Sequence, residues 1–74
     1  MVRTIPRECL WICGRGPTRL QCRLQHHHDD DLEIEVTRNE RLYGTYRFNE
    51  RRTALTFAER LRHNFEGNGW VLAR

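Results

Sequence analysis

Cys9, Cys13, Cys22 and His26 stand at the spacing C-x3-C-x8-C-x3-H, a set of thiols and an imidazole whose ligand types suit zinc. His26 opens the string His26-His27-His28-Asp29-Asp30-Asp31, whose imidazoles and carboxylates also suit zinc, nickel or copper. Adjacent residues of one loop seldom close a tetrahedral shell unaided, and the cysteine spacing matches no established zinc pattern. Cys22 also falls within the apolar set of a strand, which reads as a small core residue. Structural zinc on these four residues is therefore a third reading, behind two without a metal, and no cofactor is expected. Three adjacent imidazoles suggest a pH-sensitive loop, but a solvated hairpin loop accounts for the run more simply.

Nucleophilic or acid–base catalysis needs a nucleophile, a base and an orienting group held together. The chain contains the residue types but no G-x-S-x-G elbow, no phosphate-binding glycine loop, no dinucleotide fingerprint and no H-E-x-x-H helix. At 74 residues it has little volume for an enclosed ligand pocket. The expectation is a noncatalytic protein without a small-molecule substrate.

The elements that must position any site follow from composition and periodicity. A hydrophobic content of 38% and an aromatic content of 9% supply one small two-layer core. No run approaches the ~20 apolar residues of a membrane span, and Met1 to Pro6 lacks the apolar core of a signal peptide, so a cytoplasmic protein without membrane contact is expected. Three cysteines are an odd set, which fits reduced thiols and no disulfide. All 13 basic residues are arginine, and the net charge of +3 permits nucleic-acid contact without requiring it.

Residues 1–7 read as a loose arm and residues 8–74 as a single small domain. Glu8 to Cys13 is apolar on both faces, as for a strand covered on two sides or facing a partner, and Gly14-Arg15-Gly16-Pro17 ends it. Leu20, Cys22 and Leu24 alternate with polar residues over Thr18 to Gln25, and Leu32, Ile34 and Val36 do so in the next segment. Pairing their apolar faces sets Arg23 opposite Glu33 and Gln21 opposite Glu35. After a short connection at Arg38-Asn39-Glu40, Leu42, Gly44, Tyr46 and Phe48 point inward, Tyr43, Thr45 and Arg47 outward, and Gly44 sits opposite Ile34. Thr53 caps a helix whose stripe runs from Ala54 to Phe65, with Arg60, Arg62 and His63 near its carboxyl end. Gly67 stops it, and Trp70 to Ala73 returns as a strand. The predicted fold is α+β: an antiparallel sheet of four to five strands with one helix packed on one face, in the order β-β-β-β-α-β.

Two binding readings follow. The first is an interaction module for a protein partner or its own copy, using a sheet edge or the apolar strand at Leu10, Trp11 and Ile12. The alternative is nucleic-acid binding by the polar face of the sheet, with Arg19, Arg23 and Arg47 on phosphates and Tyr43 stacking on a base. Over residues 18–66 the order of strands followed by a helix is similar to that of plant ethylene-response DNA-binding domains and of the amino-terminal domains of tyrosine integrases. That resemblance implies contact with DNA through the sheet face. Glu33 and Glu35 lie on the same face and oppose phosphate. Arg51, Arg52, Arg60 and Arg62 form a second basic grouping, interspersed with Glu50, Glu59 and Glu66 as on a solvated helix surface.

Overall fold

Period-two patterning produces the strands in the computed structural model, which describes residues 7–28 and 30–73. They are β1 (Arg7–Arg15), β2 (Thr18–His28), β3 (Asp31–Arg38) and β4 (Arg41–Phe48), followed by α1 (Arg51–Gly67) and β5 (Val71–Leu72). All pairings are antiparallel, and the order across the sheet is β4-β3-β2-β1-β5. This is the predicted α+β architecture in the predicted element order.

The helix covers one face of the sheet. Its buried residues are Ala54 and Ala58, whose small side chains let the helix axis approach the strands closely. Leu20, Cys22, Leu24, Leu32, Ile34 and Val36 meet them from the central strands, each at most 1% exposed. Trp11 joins this core from β1 and donates its indole Nε1 to the Ala58 carbonyl at 3.0 Å, tying helix to sheet. Phe65 packs between Trp11, at 6.1 Å between ring centroids, and Trp70, at 5.9 Å. Among the described residues, nothing covers the opposite face.

The hairpin turns correct several expected boundaries. Residues 1–6 of the expected arm lie outside the described residues, but Arg7 pairs with Gln25 and belongs to β1. His26 and His28 pair with Leu32 and Asp31, so the histidine run is strand, and the loop shrinks to two positions. Of those two, Asp29 lies outside the described residues. The β2–β3 register lies two residues from the expected pairing, with His27 as an extra residue of β2 next to the turn. Arg23 therefore faces Glu35 and Gln25 faces Glu33. Both alternatives keep the apolar set inside, which is why alternation could not distinguish them.

The β3–β4 turn places Asn39 at φ 50° and Glu40 at φ 69°, the backbone of a type I′ turn. Asn39 suits that conformation, and its side-chain oxygen accepts the Arg19 amide at 2.9 Å. Glu40 is strained there by roughly 1–2 kcal/mol relative to an ordinary backbone. Glu40→Gly is expected to raise stability by about 0.5–1 kcal/mol after glycine's larger entropy loss, read as a higher urea midpoint with an unchanged slope.

The helix ends also differ from expectation. Glu50 is the N-cap, without a side-chain capping bond, and Thr53 lies inside the first turns. The chain reaches α1 so soon after β4 that no Ser, Thr, Asp or Asn occupies the cap position. Asn68 is the C-cap, and the left-handed glycine that turns the chain is Gly69, at φ +91°, two residues past Gly67. The last turn carries no basic residue, because the helix runs beyond His63.

Candidate functional site

The four residues of the third, zinc-binding reading do not assemble. Pairing with Arg23 puts Cys9 on the open face of the sheet, whereas Cys13 and Cys22 are buried on the helix face. His26 lies on the helix face but at the far end of β2, where its Nε2 is 3.3 Å from Arg51. A sheet separates one thiol from the other two, and no group of three or more potential ligands converges among the described residues. Burial pushes the Cys22 thiol up to about 12, and burial also raises Cys13, so both are held as neutral, unreactive groups.

The apolar first strand is divided by its own irregularity. Leu10 is an extra residue between the pairs Cys9–Arg23 and Trp11–Cys22, and this bulge lets Leu10 and Trp11 both reach the core. Trp11 is 2% exposed and is not available to a partner. Ile12, opposite Gln21, is the member of the expected trio that lies on the open face, half-buried.

The proposed nucleic-acid set is divided as well. Arg19, Arg23 and Arg47 lie on the open face, but Tyr43 does not. Val36 pairs with Gly44 and Thr37 with Leu42, leaving Tyr43 as the extra residue of a bulge. The bulge turns Tyr43 toward the helix, 6.3 Å from Phe65 between ring centroids, and turns Leu42 outward beside Thr37. Gly44 adjoins this bulge and faces Val36, not Ile34. The Tyr46 ring lies over the glycine, with its hydroxyl 3.0 Å from where a Cβ would stand.

Carboxylates occupy part of the open face. Arg47 bonds Asp31 at 2.6 Å and reaches Glu33 at 3.8 Å, and His27 reaches Glu33 at 3.2 Å. Glu35 accepts from Gln25 at 3.0 Å instead of from Arg23, whose buried Nε lacks a hydrogen-bond partner. Arg7, Arg19 and Arg23 make no ion pair with the described residues.

A different surface gathers where the sheet ends. Leu42, Tyr43 and Tyr46 on β4 and Val71 and Leu72 on β5 are the exposed large hydrophobic residues of the described chain, at 37% to 69% exposure, and all lie on edge strands. β5 is two residues long and covers only the Cys13–Gly14 end of β1. The rest of that edge is interrupted by the Leu10 bulge and carries Glu8, which Arg51 holds at 3.0 Å. β4 is eight residues long, pairs regularly from Gly44 to Phe48 and contains no carboxylate, proline or lysine.

The helix-side flank of β4 forms a shallow groove of about 350 Å³ lined by Phe48, Arg52, Thr53, Thr56, Phe57 and Arg60. Its aromatic floor continues to the strand edge through Tyr46, 4.6 Å from Phe57, while Phe48 stands 5.2 Å from the same ring. The helical grouping of arginines divides at this point. Arg51 pairs with Glu8, and Arg62 pairs with Glu59 and Glu66 at 2.9 Å each. The bond from Arg62 holds the Glu59 carboxyl below the usual carboxylate range. Arg52 and Arg60 have no carboxylate within 4 Å among the described residues and flank the groove.

The groove residues were individually visible in the sequence but not as a group. The available signal was the aromatic surplus of Leu42 to Phe48, which exceeds what one buried face of a strand requires. No protein-family model, curated protein or solved structure matches the chain. Among the described residues, no helix is long and apolar enough to cross a membrane.

Proposed function

We propose that the protein is a noncatalytic interaction module that binds another polypeptide along the free edge of β4. The observation that carries this reading is that, among the described residues, the large exposed hydrophobic side chains lie on the edge strands, three of them on β4. An edge strand offers a row of unpaired backbone donors and acceptors, and an extended peptide satisfies them by adding a strand to the sheet. Backbone pairing supplies register, while Tyr43, Tyr46 and the groove beyond them supply selectivity. The docking surface is thus moved from the apolar first strand to the opposite edge of the sheet. Three free thiols fit a reducing compartment such as the cytoplasm.

The test is selection of extended peptides from a random displayed library, followed by amide-resolved NMR. Shifts are expected along residues 41–48 and in α1. The double variant Leu42→Gln, Tyr46→Thr is expected to weaken binding by about thirtyfold, the order of one tyrosine hot spot, while remaining folded. Shifts confined to the open face or to β5, or an affinity unchanged in the double variant, would refute the β4 reading.

Nucleic-acid binding by the open face is the second reading, favoured by Arg7, Arg19 and Arg23, which make no ion pair among the described residues. Titration with duplex and single-stranded DNA at two salt concentrations separates the two. Salt-sensitive shifts at Arg19 and Arg23 would support nucleic acid, and silence there at low salt would remove it.

A further inference from the structure

We infer that the segment added to β4 is acidic, carrying carboxylates on either side of an aromatic or large aliphatic residue along the face turned toward α1. This rests on the proposed docking at β4 and specifies the chemistry of the partner. The floor beside that edge is aromatic, formed by Tyr46, Phe48 and Phe57, and calls for an apolar side chain. Its helical wall presents Arg52 and Arg60, which lack ion partners among the described residues, with Thr53 and Thr56 between them.

Spacing sets the pattern. Arg52 and Arg60 lie eight residues apart on α1, which corresponds to roughly 12 Å along the helix axis. On an extended strand, alternate side chains share a face, and four residues span roughly 13 Å. Because Phe57 meets Tyr46 and Phe48 while Phe65 meets Tyr43, α1 runs along β4, and a strand lying beside β4 brings its side chains i and i+4 near the two guanidinium groups, with residue i+2 above the aromatic floor. The recognised pattern is acidic-x-apolar-x-acidic. Arginine's planar donors suit paired carboxylate recognition.

The same charge argues against a second copy of this chain. β4 carries no carboxylate, so a second copy joined at this edge would supply no anion from that strand to Arg52 or Arg60. Thr56 directs its hydroxyl to the Arg52 carbonyl at 2.9 Å, which leaves Arg52, Arg60 and the Thr53 hydroxyl to meet the carboxylates.

The test uses the intact domain, analytical ultracentrifugation and fluorescence anisotropy with a short labelled peptide of repeating Glu-Thr-Phe-Thr-Glu pattern. Its lysine counterpart and a scrambled peptide provide comparison. The domain alone should be monomeric, and the acidic peptide should bind more tightly than either comparison peptide. The pair Arg52→Glu, Arg60→Glu should weaken acidic-peptide binding by about tenfold or more and shift preference to the lysine peptide. Arg52→Glu adds an acid to a first turn that has none, favouring the helix dipole and keeping the variant folded. If the charge reversal leaves affinity and preference unchanged while Leu42→Gln, Tyr46→Thr weakens binding by about thirtyfold, the acidic specification fails and docking at β4 stands. A dimer dissociated by that edge variant would likewise overturn the acidic partner in favour of self-association. If neither variant changes peptide affinity, both the partner and the docking site are refuted.

Discussion

Replacing Trp11 with alanine is expected to cost about 3–5 kcal/mol, comparable to much of the roughly 4–11 kcal/mol available to a domain of this length. The indole is 2% exposed, stands 6.1 Å from the Phe65 ring between centroids and donates to the Ala58 carbonyl at 3.0 Å. Alanine removes the largest buried side chain and leaves a cavity where β1 meets α1. Rigid strands on one side and the helix backbone on the other limit collapse into it. Trp11→Phe should be milder, because a ring remains and the Ala58 carbonyl keeps its helical acceptor role. Urea unfolding followed by circular dichroism distinguishes the outcomes. A cost for Trp11→Ala within about 0.5 kcal/mol would place the side chain outside the core, where a docking residue would stand.

Alkaline pH should destabilise the protein through Cys22. Burial is the leading cause that raises this thiol from an ordinary value of 9.0 to about 12, with smaller contributions from Cys9, Cys13 and Glu59. The folded state therefore favours the protonated thiol. Its contribution is fully present below the unfolded value near 9.0 and is lost as pH rises through the folded value of about 12. The slope is about 1.4 kcal/mol per pH unit in that window, for a total on the order of 4 kcal/mol. Urea midpoints measured across this range should fall for the native protein. They should fall less for Cys22→Ala, which retains the tyrosines and the other titrating groups. Equal slopes in the two proteins would exclude Cys22 as the cause. Alkylation near neutral pH offers a companion readout: exposed Cys9 should react in the folded protein, and buried Cys13 and Cys22 only after unfolding.

These two predictions concern residues whose sequence context permitted opposite readings. Trp11 sits in a run apolar on both faces, equally suited to a covered strand or a docking strand. The bulge at Leu10 resolves this by sending successive side chains toward the core. Cys22 could be a metal ligand or a core residue, and its neighbours at Leu20 and Leu24 already placed it inside. The zinc spacing had no comparable structural support. Three residues separate Cys9 from Cys13 and three separate Cys22 from His26, but the local strand faces prevent those intervals from forming one coordination shell.

By itself the sequence determined the elements and their order. Alternation of apolar and polar residues marks β2, β3 and most of β4, a 3.6-residue stripe marks α1, and glycine or asparagine marks the turns. These signals are local, and each acts through backbone geometry within a few residues. Tertiary structure decided the rest: the two-residue offset between β2 and β3, the reversal of Leu42 and Tyr43, the open edge of β4 and the arginines left without carboxylates. The physical reason is that a two-residue slip preserves the buried face, while one inserted residue reverses it beyond the bulge. Strand order and ion pairing depend on segments distant along the chain, as when Glu8 meets Arg51 and leaves Arg52 free to line the groove.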